Sequence, residues 1–231
     1  MTSNELATAL RKLQPTFLQD LTPSELSDVL SAARLRRFLA NSVVTNQGHP
    51  ASYFYLVLSG KARSFVLTQT GQKIHLHWYP PGDTFGSMAM VSRPSDYLAS
   101  TEVTSNSKLL MWDRETIRKL AAIHPQLTDN ALLIASNYMN FAIATQVSLS
   151  SHTARQRLAV VLANLASGIG HQVSGGIELH VRNEELASAA NITTFTASRI
   201  MSEWERARML RKSRGKVLIR SPERLLLEDV G

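Results

Sequence analysis

Apolar positions in the first half of the chain come in short runs. Tyr53-Phe54-Tyr55-Leu56-Val57-Leu58, Ala62-Arg63-Ser64-Phe65-Val66-Leu67 and Ile74-His75-Leu76-His77-Trp78 are three of them. Gly48, Gly60, Gly71 and Gly82 punctuate these runs at separations of twelve, eleven and eleven residues. Short strands between evenly spaced turns predict an all-β sandwich, barrel or roll, with the glycines supplying positive φ. After Gly82-Asp83-Thr84-Phe85-Gly86 the pattern breaks, and a strand-like stretch resumes near Ser100 to Trp112. Upstream, Glu5 to Leu10 and Ser24 to Ala33 read as helices, with Pro23 and Ser24 as start signals.

From Pro125 to Leu149 the period becomes helical. Ala131, Ile134, Tyr138, Phe141, Thr145 and Ser148 form a three-four repeat that suits a coiled-coil seam, and Leu132, Leu133, Met139, Ala142 and Ile143 cover a neighbouring face. A helix apolar on two faces is expected to pack on its own β-domain and on a second copy of itself. The alternative is a helix buried inside one monomer. The serine-rich stretch Ser148 to His152 is expected to be a hinge, followed by a helix from about Thr153 to Ala166.

Arg182 to Met209 reads as a helix-turn-helix. Asn183 is the expected cap of a short helix, with Glu184 and Glu185 at its positive end and Leu186, Ala187 and Ala190 on one face. Asn191 tolerates the left-handed conformation of a turn. Thr193 or Thr194 caps a second helix, in which Ala197, Ile200, Met201 and Trp204 recur at core spacing. Thr194, Phe195, Ser198 and Arg199 lie off that face, where a recognition helix reaches base edges. The alternative is a small amphipathic helix pair without nucleic acid.

Charge favours the DNA reading. Arg206, Arg208, Arg211, Lys212, Arg214, Lys216 and Arg220 are seven basic residues in fifteen with no acidic one, against a net charge of +7 for the chain. Ser213-Arg214-Gly215 reads as a turn and Lys216 to Ile219 as a strand. Ile177 to Val181, after Ser174-Gly175-Gly176, is a matching strand, so two strands flank the helix pair as in a winged helix. Basic residues on a wing neutralise phosphates and add affinity without sequence information. The expected DNA-contacting set is Arg182, Thr193, Thr194, Phe195, Thr196, Ser198, Arg199 and Lys216.

The chain has 231 residues and no cysteine, which removes disulfides, thiolate metal sites and cysteine nucleophiles. The N-terminal MTSNELATALRKLQP has no apolar h-region and no apolar run spans a bilayer, so a cytoplasmic location and no membrane partner are expected. Nucleophile elbows, GxxxxGK loops and GxGxxG turns are absent from the sequence.

A β-roll, a long helix, a hinge and a winged helix, in that order, resemble the Crp/Fnr family of bacterial transcription regulators. Tyr55-Leu56-Val57-Leu58-Ser59-Gly60 is similar to the family's strand leading into a turn glycine, and Pro81-Gly82-Asp83-Thr84-Phe85-Gly86 to the segment leading into its effector cassette. The resemblance implies an α+β fold: an N-terminal β-roll (double-stranded β-helix) over 1–124, a dimerisation helix and hinge over 125–150, and a winged helix-turn-helix over 151–231. It implies a homodimer, with Ile134, Tyr138, Phe141 and Thr145 at the interface, reading a near-palindromic double-stranded DNA site. A ligand in the roll would bias rotation of the DNA domains about Ser148 to His152. RNA polymerase is a further implied partner, at the loop from Ser167 to Gly176.

The departures from the family matter more. Members that bind cyclic AMP follow Phe-Gly with a glutamate for the ribose and later use an Arg-Ser pair for the phosphate. This chain has Ser87 at the glutamate position and Tyr97 and Leu98 at the pair. Charge-assisted phosphate binding is lost, so the effector is expected not to be cyclic AMP. The equivalent pocket, from Leu76, Tyr79, Gly86, Ser87, Met88, Ala89, Tyr97, Leu98 and Tyr138, is more apolar and aromatic. It takes another small molecule, is a filled core, holds a phosphate ligand through Arg93 or Arg63, or holds a haem. On the recognition helix, Ser198 and Arg199 match the Ser-Arg pair of Fnr-like members, and Phe195 stands where they carry a glutamate. Arg199 is then the base reader, bidentate to guanine, or contacts phosphate only. Phe195 is suited to a thymine methyl.

Two other classes remain. His75 and His77 are two apart on one strand and point the same way, which faintly resembles the first metal motif of the cupins, a class of metal-dependent enzymes. That motif's glutamate and second histidine segment are missing. Alternation instead puts Ile74, Leu76 and Trp78 toward the core and both histidines toward solvent. A haem-based gas sensor of the same fold would use His75, His77, Met88 or an N-terminal group as axial ligand.

Overall fold

The computed structural model describes residues 3–71 and 73–227. The chain divides into two compact units, Met1–Asn140 and Phe141–Gly231. The boundary falls inside one long helix.

The first unit opens with α1 (Ser3–Leu13) and α2 (Pro23–Ser31). Thr22 begins α2 through a capping box: its hydroxyl accepts from the Glu25 amide and the Glu25 carboxylate accepts from the Thr22 amide. Among the described residues eight strands follow: β1 (Arg34–Phe38), β2 (Val43–Thr45), β3 (Tyr53–Ser59), β4 (Ala62–Leu67), β5 (Lys73–Tyr79), β6 (Thr84–Phe85), β7 (Ser100–Val103) and β8 (Ser107–Asp113). They form two antiparallel four-stranded sheets, in the orders β1-β8-β3-β6 and β2-β7-β4-β5. Then come α3 (Arg114–Ile123) and α4 (Gln126–Ser151).

Strand alternation divides the interior into two cores. Phe54, Leu56, Leu58, Leu110 and Trp112 face a core completed by the helices through Phe17, Val29, Ile117 and Leu127. Tyr55, Val57, Leu109 and Met111 point the other way, and meet Ala62, Phe85 and Val103 between the two sheets. Trp112 packs edge-on to Phe17 at 6.2 Å, and its indole N–H donates to the Val29 carbonyl at 2.8 Å. Truncating so buried an aromatic costs about 3–5 kcal/mol.

The glycines at 48, 60, 71 and 82 all have positive φ. At Gly60 the requirement is also steric, because a Cβ there would collide with the backbone and side chain of Ser107.

The second unit contains α5 (Ala154–Ile169), β9 (His171–Val173), β10 (Gly176–Leu179), α6 (Asn183–Ala189), α7 (Thr194–Arg206), β11 (Leu210–Ser213), β12 (Lys216–Ile219) and α8 (Pro222–Leu227). Its sheet runs β11-β12-β10-β9, so four strands accompany the helix pair where two were expected. The stretch from Ser167 to Gly176, expected to be a loop, is the last turn of α5, then β9 and a turn. Leu158, Leu162, Leu179, Leu186, Ile200, Trp204 and Ile219 form its core.

The expected hinge is narrower than the serine run suggested. Helix α4 continues through Ser151, and Thr153 already caps α5. Ser150 and Ser151 turn their hydroxyls back onto the carbonyls of Gln146 and Val147 at 3.0 and 2.8 Å. This back-bonding satisfies the hydroxyls within the helix at a slight cost to its stability.

Candidate nucleic-acid interface and effector site

Helix α7 is amphipathic as its sequence requires. Ala197, Ile200, Met201 and Trp204 are buried, while Thr194, Phe195, Ser198 and Arg199 are exposed, Phe195 by 79%. Thr193 is the cap: its hydroxyl accepts from the Thr196 amide at 3.1 Å, and Thr196 is half-buried beside it. Asn191 has a φ of 49°, the left-handed turn residue anticipated between the helices. The start of α6 differs from expectation. Arg182 is the cap residue, with its amide donating to Glu185 at 2.8 Å. Asn183 is the first helical residue, and its side-chain amide donates to the Thr194 carbonyl at 3.1 Å, tying the two helices together.

The basic run is not a row of free cations. Lys216 Nζ lies 2.9 Å from Glu178 Oε1, an oxygen also 2.7 Å from His180 Nε2. Those hydrogen bonds, Lys216 first, hold the Glu178 carboxyl below its ordinary range. Lys212 donates from its amide to Glu205 at 2.7 Å and from Nζ to Ser202 at 2.8 Å. Arg157, a residue not singled out by sequence reasoning, donates to the carbonyls of His152, Ala190 and Asn191.

In the first unit the interior of the roll is aromatic. Tyr53, Tyr55, Phe85, Tyr79, His77 and Tyr138 form an unbroken chain of ring contacts at 6.2, 4.8, 5.4, 4.9 and 5.5 Å. Burial lowers the His77 pKa and raises that of Tyr79 to about 12. Asp83, beside Phe85 in the cassette, is pushed up to about 6 by burial.

The two histidines do not share a face. On β5, His75 pairs with Phe65 and His77 with Ser64, leaving Leu76 as the extra residue of a bulge. His75 contacts the Phe65 ring on one side of the sheet, while on the other His77 meets Tyr79 and the exposed ring of Tyr138. The expectation of two solvent-facing histidines is corrected for both, since His77 turns to the roll and Nδ1 of His75 is buried; Ile74, expected in the core, is exposed, and Trp78 lies outside under the Arg63 guanidinium at 5.2 Å. Among the described residues no three His, Asp or Glu side chains cluster to hold a metal ion.

Other pocket positions separate likewise. Tyr97 is buried, and its hydroxyl donates to the Tyr53 carbonyl and accepts from the Tyr53 amide, both at 2.9 Å. Gly86 has a φ of 82°, and a Cβ there would sit 2.6 Å from the Tyr53 carbonyl oxygen and 3.4 Å from the Tyr97 ring. Ala89 belongs to the helix-side core, Met88 is half-buried and Ser87 exposed. Leu98 is 74% exposed. Arg63 pairs with Glu102 at 2.8 Å on the outer face, Lys73 holds the second oxygen, and together they keep that carboxyl below its ordinary range despite its burial. Arg93 is exposed.

On α4, Leu127, Asn130, Ala131 and Ile134 pack onto the first unit's own core. Asn130 donates to the Phe17 and Gln19 carbonyls. Ile134, expected to meet a partner, is partly buried against its own unit's core, and the Tyr138 ring meets His77 edge-on. Leu132, Leu133 and Met139 are exposed. Phe141 is 36% exposed, and the hydroxyl of Thr145 is turned back onto the Phe141 carbonyl.

Comparison with known proteins gives this geometry a family. Residues 35–124 match the cyclic nucleotide-binding domain, and residues 156–227 the Crp-like helix-turn-helix domain. The chain belongs to the Crp/Fnr family. The Cyclic AMP receptor protein of Thermus thermophilus is 29% identical over 220 residues, covering 95% of this chain and 97% of that protein. FixK2 from Bradyrhizobium japonicum superposes with a TM-score of 0.74 at 22% identity, over 86% of this chain and 98% of its own. CLP of Xanthomonas campestris, described as c-di-GMP responsive, gives 0.76 at 16% identity, over 87% and 100%.

As a Crp/Fnr member the chain is a DNA-binding transcription regulator of mixed α/β fold. Tyr97, which the sequence comparison sets opposite the family's phosphate-gripping arginine, exchanges two hydrogen bonds with the Tyr53 backbone. The arginine that does reach this cassette, Arg114, donates to the carbonyls of Met88, Ala89, Val91 and Ser92. It braces the turn after Gly86. Sequence reasoning also missed Tyr53, Tyr55 and Phe85; for the two tyrosines the signal was the shared phase of alternate positions on β3, and Phe85 comes from β6.

Proposed function

We propose that this protein is a homodimeric, sequence-specific regulator that reads a near-palindromic duplex through α7 and takes an effector other than cyclic AMP. The observation that carries the DNA reading is the split of α7: four core residues on one face, and Thr194, Phe195, Ser198 and Arg199 on the other. Arg199 is assigned to guanine, bidentate at O6 and N7, and Phe195 to a thymine methyl. Arg182, Thr193, Thr196 and Lys216 are assigned to the phosphates around them. Two copies related by a two-fold axis would place two α7 helices about one helical turn of DNA apart.

Dimerisation is assigned to the exposed apolar residues of α4, Leu132, Leu133 and Met139, with Phe141 and Ile143 following in sequence. Exposed leucine and methionine side chains concentrated on one helix support an interface. In the roll, Tyr97 and the ring chain stand for a nucleotide's phosphate and base. The effector is therefore an apolar or aromatic small molecule, or the roll works with its own side chains as filling. The protein is assigned to the cytoplasm, where DNA and RNA polymerase are met.

The test is selection from a random duplex pool by the full-length protein, followed by affinity measurement on the selected site. Arg199→Ala should lose about 1–3 kcal/mol and relax specificity at one base pair of each half-site. Retention of full sequence preference by that variant would overturn the assignment.

A further inference from the structure

We propose that Glu203 is a positioning residue for Arg199, aiming its guanidinium at the guanine edge. The inference rests on Arg199 as base reader. The two oxygens of Glu203 serve different arginines: Oε2 lies 2.6 Å from Arg155 Nη1, and Oε1 lies 3.4 Å from Arg199 Nη1. Arg155 comes from α5, and its guanidinium sits 5.2 Å over the ring of Trp204, which is fully buried. Orientation therefore passes from the core of the second unit to Arg155, from Arg155 to Glu203, and from Glu203 to Arg199.

The pair makes poor sense as helix reinforcement. Glutamate four residues before a cation complements the helix dipole, whereas here the cation comes first, the weaker order. Arg199 is largely exposed, and the contact is long for a charge-assisted hydrogen bond. It makes sense as aiming. A free arginine loses rotamer freedom when it binds, and a carboxylate engaging only Nη1 leaves the opposite edge of the guanidinium as a fork for O6 and N7. Arg155 offsets the negative charge that Glu203 would otherwise bring close to phosphates.

The experiment compares full-length wild type, Arg199→Ala, Glu203→Ala, Glu203→Gln and Arg155→Met by fluorescence anisotropy. The probes are the selected duplex, the same duplex with N7 of the contacted guanine replaced by carbon, and an unrelated duplex. Wild type should lose about tenfold on the N7 replacement. Glu203→Ala and Arg155→Met should shrink that ratio to about threefold or less without weakening binding to the unrelated duplex. Glu203→Gln keeps an acceptor and should recover most of it. If Glu203→Ala does not fold, Arg155→Met carries the same readout with Glu203 in place. Ratios equal to wild type in Glu203→Ala and Arg155→Met, with the ratio lost in Arg199→Ala, would overturn the positioning role and leave base readout standing. A wild-type ratio in Arg199→Ala would remove base readout itself.

Discussion

Arg157 donates from Nε to the carbonyl oxygen of Ala190 at 2.9 Å, across 33 positions of sequence. The same guanidinium reaches the carbonyls of His152 at 2.9 Å and Asn191 at 3.4 Å. Ala190 ends α6 and Asn191 is the left-handed turn residue, so these carbonyls are among those a helix C-terminus leaves without partners. His152 follows directly on α4. One cation thus fixes the turn of the helix-turn-helix and the junction of α4 with α5. Arg157→Ala should lower the unfolding free energy by about 1.5–3 kcal/mol, read from urea melts. Arg157→Lys should recover less than half, because an ammonium cannot span three carbonyls. An unchanged midpoint in the alanine variant would show these bonds to be no stronger than those to water.

Purified protein should show no thermal shift with millimolar cyclic AMP. A ligand at about 100 times its Kd adds about 2.7 kcal/mol, which a melt resolves easily. Tyr97 spends its hydroxyl on Tyr53, and Arg114 spends its guanidinium on four carbonyls of the same cassette. A clear upward shift would mean that backbone amides and a cation displaced from its present partners replace the family's arginine.

Much of the second unit was legible because its signals are local. Thr193 and Asn191 declare a cap and a turn within their own few residues, and the burial of Ala197, Ile200, Met201 and Trp204 follows from helical period alone. Asn183 misled because a capping residue type stood one position inside the helix, where its amide bridges to Thr194 instead. Strand phase on β5 was illegible for a different reason. A bulge at Leu76 reverses inside and outside between His75 and His77, and nothing in the residue types marks it. The faces of α4 were both apolar in sequence. Only the contacts of Leu127, Asn130 and Ile134 show which one the β-roll takes. Arg157 and Arg114 act on carbonyls distant in sequence, a role that no spacing encodes.

Stability should fall as pH rises from about 4 to about 6 through one group, Asp83. Its folded pKa is raised to about 6 by burial, so the folded state keeps a proton that the unfolded state has already released in that window. The native form is then penalised above about pH 6, and not below about pH 4. The cost at neutral pH is about 1–2 kcal/mol, discounted because the side chain is partly exposed. Asp83→Asn removes it. The difference in melting temperature between the variant and wild type should be near zero at pH 4 and favour the variant at pH 7. A difference independent of pH would refute the buried-carboxyl account. Glu102 and Asp113, held below their ordinary range, titrate alike in both proteins and cancel.

Met139→Glu should give a monomer by sedimentation at micromolar concentration with little loss of thermal stability. Met139 is exposed on α4, so within one chain the change is a surface substitution worth about 0.5 kcal/mol or less. In a dimer, it would bury two unpaired charges at a two-fold interface. Ile134→Glu is the contrasting variant. Ile134 packs against the first unit's own core, so that change should unfold the unit and not merely separate two copies. An undisturbed dimer in Met139→Glu would move the interface elsewhere.

Lys216 and Glu178 set up a test of whether the wing touches DNA at all. Their ion pair at 2.9 Å, with His180 on the same oxygen, already satisfies the lysine that the DNA reading assigns to a phosphate. Two cases differ in salt dependence. If Lys216 leaves Glu178 for a phosphate on binding, Lys216→Ala flattens the slope of log K against log salt by about 0.9 and weakens every sequence alike. Glu178→Gln then raises affinity for any duplex, because the lysine no longer has to break an ion pair first. If Lys216 stays with Glu178 in the complex, Lys216→Ala leaves the slope unchanged and exposes a bare carboxylate beside the DNA. Glu178→Gln would then steepen the slope by about 0.9, since a cation newly freed finds a phosphate. The expected outcome is the first, because DNA phosphates outnumber the single carboxylate that holds Lys216. A salt slope unmoved by both substitutions would take the wing out of the interface.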